Sequence, residues 1–222
     1  PSGEVVDGPR ERNQFTWPGK REAKPEARRP IKKTMRPCPE KSKDWDTTEN
    51  LYIEGDNLEA LKIMRETYAG KVKLIYIDPP YNTGHDFVYD DDFSKTRAEY
   101  DPESGDSHEV GGRLVANTES NGRFHSDWCS MMYPRLMLAR DLLSDDGAIF
   151  ISIDDNEEQN LLKIGNELFG SGNYVGKLYV QVNPRGRNLD RYIAKTIEPV
   201  LIWVKNYTCG NSLNLIPKNS RM

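Results

Sequence analysis

The stretch LIYIDPPYNTG, which begins at Leu74, is the feature that most constrains this chain of 222 residues. Residues Val72–Ile77 are apolar apart from one lysine and rich in β-formers, which predicts a buried strand. The strand stops at Asp78, and Pro79 and Pro80 follow at once. Two prolines hold φ near about −65° and carry no N–H, so this stiff turn presents carbonyl oxygens beside a carboxylate. Such an array of acceptors suits a ligand that donates hydrogen bonds, for example an amine with two hydrogens.

Helical and strand patterns alternate along the chain, which predicts an α/β fold. Apolar residues recur at helical spacing over 57–68, about 127–143 and 157–169, and strands are predicted at 51–53, 72–77, 148–153, 174–182 and 200–204, with a turn at 144–147. The unit of strand 51–53, helix and strand 72–77 predicts a parallel pair with a right-handed crossover. Because the strands are too apolar to be half-exposed, we expect a doubly wound sheet with helices on both faces.

Polar residues follow two of these strands, and ligands of doubly wound sheets bind outside the carboxyl ends of the strands. Asp78 follows one strand, and Asp56 and Asn57 follow the other, so all three are expected to face one cleft. Asp56 or Asn57 can equally cap the next helix. Tyr81 adds a flat face and a hydroxyl to the turn.

Charge separates the first 46 residues from the rest. They carry 12 Lys/Arg against 8 Asp/Glu and seven of the fourteen prolines, whereas the remainder has a net charge of −8. We expect 1–46 to be a basic, wrapping extension, either solvated or lying along a phosphate backbone or a partner. A net-acidic body does not bind DNA by electrostatics alone.

Three distant cysteines and the lack of a long apolar run predict a cytoplasmic protein without a membrane span or a metal site.

The turn Asp78-Pro79-Pro80-Tyr81 resembles the catalytic signature of the amino-group DNA methyltransferases, which modify N6 of adenine or N4 of cytosine. Further stretches strengthen the resemblance: TWPGK at 16–20, NLYIEGDNLEAL at 50–61, DWCSMMYPRL at 127–136 and GAIFISIDDNE at 147–157. Together, over most of residues 12–207, they are similar to the modification subunits of Type III restriction–modification systems. These belong to the permuted β-group of adenine methyltransferases, so the resemblance implies part of a circularly permuted, Rossmann-like sheet.

The resemblance also implies a mechanism and a cofactor. In this family the target adenine is flipped out of double-stranded DNA, and S-adenosylmethionine supplies the methyl group. The Asp78 carboxylate and the Pro79 carbonyl would accept the two amine hydrogens, Pro80 would hold the shape of the turn, and Tyr81 would stack on the base. Asp rather than Ser at position 78 favours adenine. A homodimer and a restriction subunit are the protein partners that the family implies.

Further residues receive predicted roles on weaker grounds. Asp56 and Asn57, together with Asp78, are expected to line the cofactor side of the cleft, and Asn82 to position the base or the cofactor. Arg185 and Arg187 lie in a predicted loop, where they either contact DNA phosphates or remain solvated. His125 is expected to be a structural or surface residue and not a catalytic one, and the acidic pair at 154–155 is expected to form a turn before the next helix.

The cofactor loop of the family is a Phe-x-Gly-x-Gly run after a strand. The similar run at Phe169 has different spacing and follows a predicted helix, so Gly170 and Gly172 are interpreted as a helix end and turn. The family's loop lies C-terminal to the matched segment. We therefore expect 47–207 to be the catalytic half of a methyltransferase domain, 208–222 to begin a further region, and the fragment to be weak or inactive alone. The alternatives are a non-catalytic assembly or DNA-binding module, and a cytosine N4 or RNA substrate.

Overall fold

The computed structural model describes residues 15–84, 87–89, 114–116, 122–182 and 196–209. Within these ranges, the α-helices and strands in chain order are α1 (Lys20–Glu26), α2 (Asn57–Tyr68), β1 (Val72–Ile77), β2 (Phe87–Tyr89), β3 (Leu114–Ala116), α3 (Phe124–Leu142), β4 (Leu143–Ser152), α4 (Glu158–Phe169), β5 (Tyr174–Gln181) and β6 (Ile197–Val204). No helix in these ranges has the length and apolar character that a bilayer span requires.

Four strands form the main sheet, in the order β1-β4-β6-β5. The pair β1 and β4 is parallel, whereas β4 with β6 and β6 with β5 are antiparallel. The short strands β2 and β3 pair with each other in a separate antiparallel ribbon. The expected α/β class is therefore confirmed, with a mixed sheet.

The main core lies between the sheet and helices α3 and α4. Ile149, Ile151 and Trp203 project from the central strands into it and are fully buried. Residues of alternate register, such as Leu74 and Tyr76, point to the opposite face, where they are 59% and 61% exposed. In the described part of the chain the helices therefore cover one face of the sheet, and the expected cover on both faces is not found there.

Helix α3 is buried on nearly all sides. Its residues 128–136 are all buried, because one side packs on the sheet and the other contacts α1 and α2. On that second side, Leu138 packs with Ala27 and Leu58 in a smaller cluster. The sequence allowed Pro134 either to kink this helix or to start a second one, and the helix is continuous through it.

The N-terminal segment contacts this central helix. Trp17 is buried and donates from Nε1 to Ser130 Oγ at 2.9 Å. Gly19 takes a φ of +101°, and a Cβ there would lie 2.8 Å from the same Ser130 oxygen, so the close approach requires glycine. Farther along, Lys62 of α2 forms a buried ion pair with Glu26 at 2.7 Å. At least this part of the basic extension is thus packed against the body of the protein.

Two further sequence expectations fail in the structure. Residues 51–53 are not a strand, since Leu51 and Tyr52 are 62% and 88% exposed and β1 pairs instead with β4. The predicted parallel pair between 51–53 and 72–77 is therefore wrong. Residues 144–147 do not precede the strand but form an irregularity within β4, because Val72 pairs with Leu143 while Leu74 pairs with Ala148. The polar side chains of 144–147 are the reason that the sequence predicted a turn. In the structure a hydrogen bond from Lys73 of β1 to Asp146 ties this irregular part of β4 to the neighbouring strand.

Gly165 allows α4 to approach the sheet. A Cβ at this position would lie 2.3 Å from the Trp203 ring. Alanine normally favours a helix by about 1 kcal/mol over glycine, but here we expect Gly165→Ala to lower the free energy of unfolding by about 1–3 kcal/mol through overpacking. Urea denaturation of the purified protein measures this. The control is Gly172→Ala, where no atom lies within 4 Å of the added Cβ. Equal stability of the two variants would contradict the close packing.

Candidate active site

The exposed Asp78 carboxylate is fixed by a serine on the neighbouring strand. Ser152 Oγ lies 2.7 Å from Asp78 Oδ1, to which it donates, and 3.3 Å from the Ile77 carbonyl. Since Ile77 pairs with Ile151 in the parallel β1–β4 ladder, Asp78 and Ser152 come at the same edge of the sheet. The carboxylate is thus held in one orientation while remaining open to solvent.

The diproline turn is fixed from behind by α3. Trp128 is fully buried and its Nε1 donates to the Pro80 carbonyl at 2.7 Å. Pro79 is buried as well, but none of the residues that the structure describes donates a hydrogen bond to its carbonyl oxygen. The turn therefore has one carbonyl, that of Pro80, bound within the protein, and the predicted acceptor role of the Pro79 carbonyl stays a prediction.

Tyr81 is oriented by a carboxylate on β6. Its hydroxyl donates to Glu198 Oε2 at 3.2 Å, and its ring packs partly against the main core. Burial, and then the nearby carboxylates of Asp78 and Glu198, raise the pKa of Tyr81 well above its ordinary value. The phenol is therefore a protonated donor at neutral pH rather than a base.

Asn82 closes the turn in an unusual backbone conformation. Its φ is +60°, in the left-handed region that few residues other than glycine and asparagine adopt. The side chain is 1% exposed, and its Nδ2 donates to Glu157 Oε1 at 2.5 Å and, at 3.4 Å, to the Phe124 carbonyl. This amide is thus directed into the protein, and the predicted contact of Asn82 with base or cofactor stays a prediction.

Asp56 and Asn57 both make contacts within the fold. Asp56 Oδ1 accepts from the Glu59 backbone N–H at 2.9 Å, which confirms that it caps α2. Asn57 Oδ1 accepts from Arg135 Nε at 2.7 Å and so ties α2 to α3. The structure does not bring either residue into hydrogen-bond contact with Asp78, and their role toward a cofactor stays a prediction.

The remaining sequence predictions divide into three groups. Arg185 and Arg187 lie outside the described residues. His125 is exposed and contacts Glu157 at 2.7 Å, as expected for a structural or surface residue, and Asp154 accepts from the Asn156 N–H in a turn. Helix α4 ends before Gly170, which confirms that the Phe-Gly run follows a helix.

Four residues that shape the site were not predicted from the sequence: Ser152, Glu157, Glu198 and Trp128. Ser152 and Glu157 lie in the stretch GAIFISIDDNE, and their place at and just after a predicted strand end is the signal that could have found them. No signal in the sequence shows that Glu198 contacts Tyr81 or that Trp128 contacts the Pro80 carbonyl, because the residues of each pair are far apart in the chain. Among the described residues, no cluster of His, Cys, Asp and Glu has the arrangement of a metal site.

Residues 72–219 match the DNA methylase family N6_N4_Mtase, and the chain belongs to this family. The match starts with β1 and includes the Asp-Pro-Pro-Tyr turn described above. The site at the end of β1 therefore lies within the part of the chain that defines the DNA methylase family.

Among individual relatives, the chain is similar to modification subunits of Type III restriction–modification enzymes. It is 45% identical over 160 residues to the EcoPI Mod subunit of Escherichia phage P1, a match that covers 72% of this chain and 25% of the relative. It is 44% identical to the EcoP15I Mod subunit of Escherichia coli, and that match covers 72% of this chain and 24% of the relative. Type II methyltransferase M.KpnI of Klebsiella pneumoniae is 32% identical, with coverage of 72% and 33%. The matches thus span about a quarter to a third of these relatives.

A solved structure, the complex of M1.HpyAVI with SAM, is also similar. The similarity covers 77% of this chain and 60% of that chain, with 17% identity and a TM-score of 0.41.

The raised pKa of Tyr81 predicts a loss of stability at high pH. Above pH 10, the ordinary value for tyrosine, the unfolded chain releases this proton while the folded state keeps it. Stability is then fully present below pH 10 and falls as the pH rises above that value. We expect Tyr81→Phe to lose less stability than the unmodified protein between pH 9.5 and 11 in urea titrations. Equal losses would show that the folded phenol titrates normally. Tyr52→Phe, at an 88% exposed position, controls for removal of a hydroxyl.

Proposed function

We propose that this chain carries the catalytic turn of a DNA methyltransferase that transfers a methyl group to N6 of adenine in a restriction–modification system. The observation that most supports this proposal is the exposed Asp78 carboxylate, which Ser152 orients. It is followed in the chain by Pro79, in a turn that Trp128 binds through the Pro80 carbonyl. Membership in the DNA methylase family and the similarity to Type III Mod subunits support the proposal.

The two acceptors address the chemical difficulty of this reaction. The lone pair of an exocyclic amine is delocalised into the base, so the nitrogen is a poor nucleophile. Hydrogen bonds from its two hydrogens to Asp78 and to the Pro79 carbonyl localise that lone pair on nitrogen. Because the acceptors are already oriented, little reorganisation is needed when charge develops in the transition state. Tyr81, held by Glu198, offers its ring for stacking on a base flipped out of the duplex.

The methyl donor of this proposal is S-adenosylmethionine, which supplies an electrophilic methyl group on a sulfonium ion. The exposed Asp78 carboxylate fits a cationic ligand, and we assign Asp56 and Asn57 to the same side of the cleft. Asp56 has a second carboxylate oxygen besides the one that caps α2. Asn57 fits less well, because its Oδ1 already accepts from Arg135.

The proposed macromolecular partners are double-stranded DNA, a second copy of the subunit and a restriction subunit. Arg185 and Arg187 are assigned to phosphate contacts, and Asn82, whose amide is directed into the protein, is assigned to positioning the base through the turn and not by direct contact. We assign the protein to the cytoplasm. We also propose that the chain divides into an extension at 1–46, a catalytic half at 47–207 and the start of a further region at 208–222.

Removal of the Asp78 carboxylate is the direct test. We expect Asp78→Ala in the intact gene product to reduce methyl transfer from labelled S-adenosylmethionine to DNA by about 100-fold or more, as for other groups that act in the transition state. The matched control is Asp145→Ala, an exposed aspartate in the irregularity of β4, which should retain full activity.

Digestion of the labelled DNA to nucleosides identifies the methylated base. N6-methyladenine supports the proposal, whereas N4-methylcytosine or transfer only to RNA would change the substrate. Binding of S-adenosylmethionine without transfer to any DNA would instead favour a non-catalytic module.

A further inference from the structure

Glu157 is a fully buried carboxylate that the mechanism above does not use. It precedes α4, yet its side chain does not cap that helix and turns inward instead. Oε1 accepts from Asn82 Nδ2 and lies 2.7 Å from His125 Nδ1, while Oε2 accepts from Asn160 Nδ2 at 2.8 Å. A buried carboxylate is costly unless such partners satisfy it. Its negative charge also contributes, after burial, to the raised pKa of the neighbouring Cys129 thiol.

The partners of Glu157 come from three separate segments. Asn82 belongs to the catalytic turn after β1, His125 to the first turn of α3, and Asn160 to the first turn of α4. Asn82 itself reaches the Phe124 carbonyl, so the turn and the start of α3 are joined twice. The buried carboxylate is therefore the common acceptor at the junction of these segments.

The bond between Glu157 and Asn82 holds a residue whose backbone lies in the left-handed region. Most non-glycine residues avoid this region, and asparagine, which adopts it with less strain, is kept there by such side-chain contacts. Position 82 lies four residues after Asp78 and directly after Tyr81. A change in its backbone would move the ring of Tyr81 and the end of the diproline turn.

We propose that Glu157 is a positioning residue for methyl transfer, acting through Asn82 to hold the catalytic turn 78–82 in its productive conformation. This inference rests on the proposed function for its effect on rate. Its structural part, control of the turn, is independent of which base is methylated. Glu157 touches neither the reacting amine nor the acceptor atoms, so its effect is on geometry and not on binding.

The test uses the intact gene product with Glu157→Gln, Asn82→Gly, Asn82→Ala and the double variant Asn82→Gly with Glu157→Gln. Glycine keeps the left-handed backbone accessible but removes the amide, whereas alanine removes both. Glu158→Gln is the matched control, since Glu158 is the next residue in the chain and pairs with Lys177 on β5 instead. Asn82→Gly leaves the buried carboxylate in place and so remains informative if Glu157→Gln fails to fold.

The first measurement is hydrogen exchange of the backbone amides of residues 81–84, read by mass spectrometry in the free protein. We expect exchange to accelerate about ten-fold in Asn82→Gly, which corresponds to loss of one buried hydrogen bond. We expect a similar acceleration in Glu157→Gln, because one acceptor oxygen becomes an NH2 donor that must face the amide of Asn82 or of Asn160. Asn82→Ala should accelerate it further, and Glu158→Gln should leave it unchanged. Unchanged exchange at 81–84 in Asn82→Gly would overturn the inference, because the backbone conformation would then not need Glu157.

The second measurement separates kcat from KM for methyl transfer. We expect both single variants to lower kcat about 10- to 100-fold, as a misplaced catalytic group does, with KM for DNA and for S-adenosylmethionine within about three-fold. The double variant should be no slower than the slower single variant, because both changes break one interaction. A positioning role would be overturned if the double variant lost kcat by the product of the two single losses, or if both single variants kept the kcat of the unmodified protein. If the unmodified protein methylates no DNA, the proposed function fails, and the exchange measurement still decides whether Glu157 holds the turn.

Discussion

Burial of α3 on both of its long sides is the constraint on which the rest of the structure depends. Its inner side forms the core with β4 and β6, and its outer side receives α1, α2 and Trp17 of the N-terminal segment. The same helix supplies Trp128, whose indole N–H binds the Pro80 carbonyl. Packing and catalytic geometry are therefore coupled, because a shift of α3 would move the diproline turn. Core side chains at native density resist such shifts.

The site is rich in acceptors. Asp78 is exposed, Glu198 faces Tyr81, and Glu157 lies behind Asn82, so three carboxylates surround one turn and each has a different partner. This arrangement agrees with the proposed recognition of an amine and of a cationic methyl donor. It does not attract the phosphate backbone, which agrees with the net charge of −8 on the chain after residue 46. The proposed binding of DNA would then rely on positive charge located elsewhere than at this turn.

Local signals predicted much of the fold. The bounds of α2 and β1 follow from apolar spacing, the Asp56 cap and the diproline stop, all of which act within a few residues. The Asp78 turn was identifiable because its residues are contiguous. By contrast, residues 51–53 have a strand-like composition, but pairing depends on a neighbour that the sequence does not reveal. Ser152, Glu157 and Glu198 act on the turn from 74 to 117 residues away, and such contacts are set by topology.

Position 82 shows how narrow the choice of amino acid at one site becomes when two requirements coincide. The backbone admits glycine, asparagine and aspartate with least strain. Glycine has no side chain for the buried carboxylate, and aspartate would place a second negative charge against it. Asparagine alone among these three meets both requirements at once. Any sequence that changes residue 82 while keeping this turn would therefore need a compensating change at residue 157, and the two positions are expected to vary together.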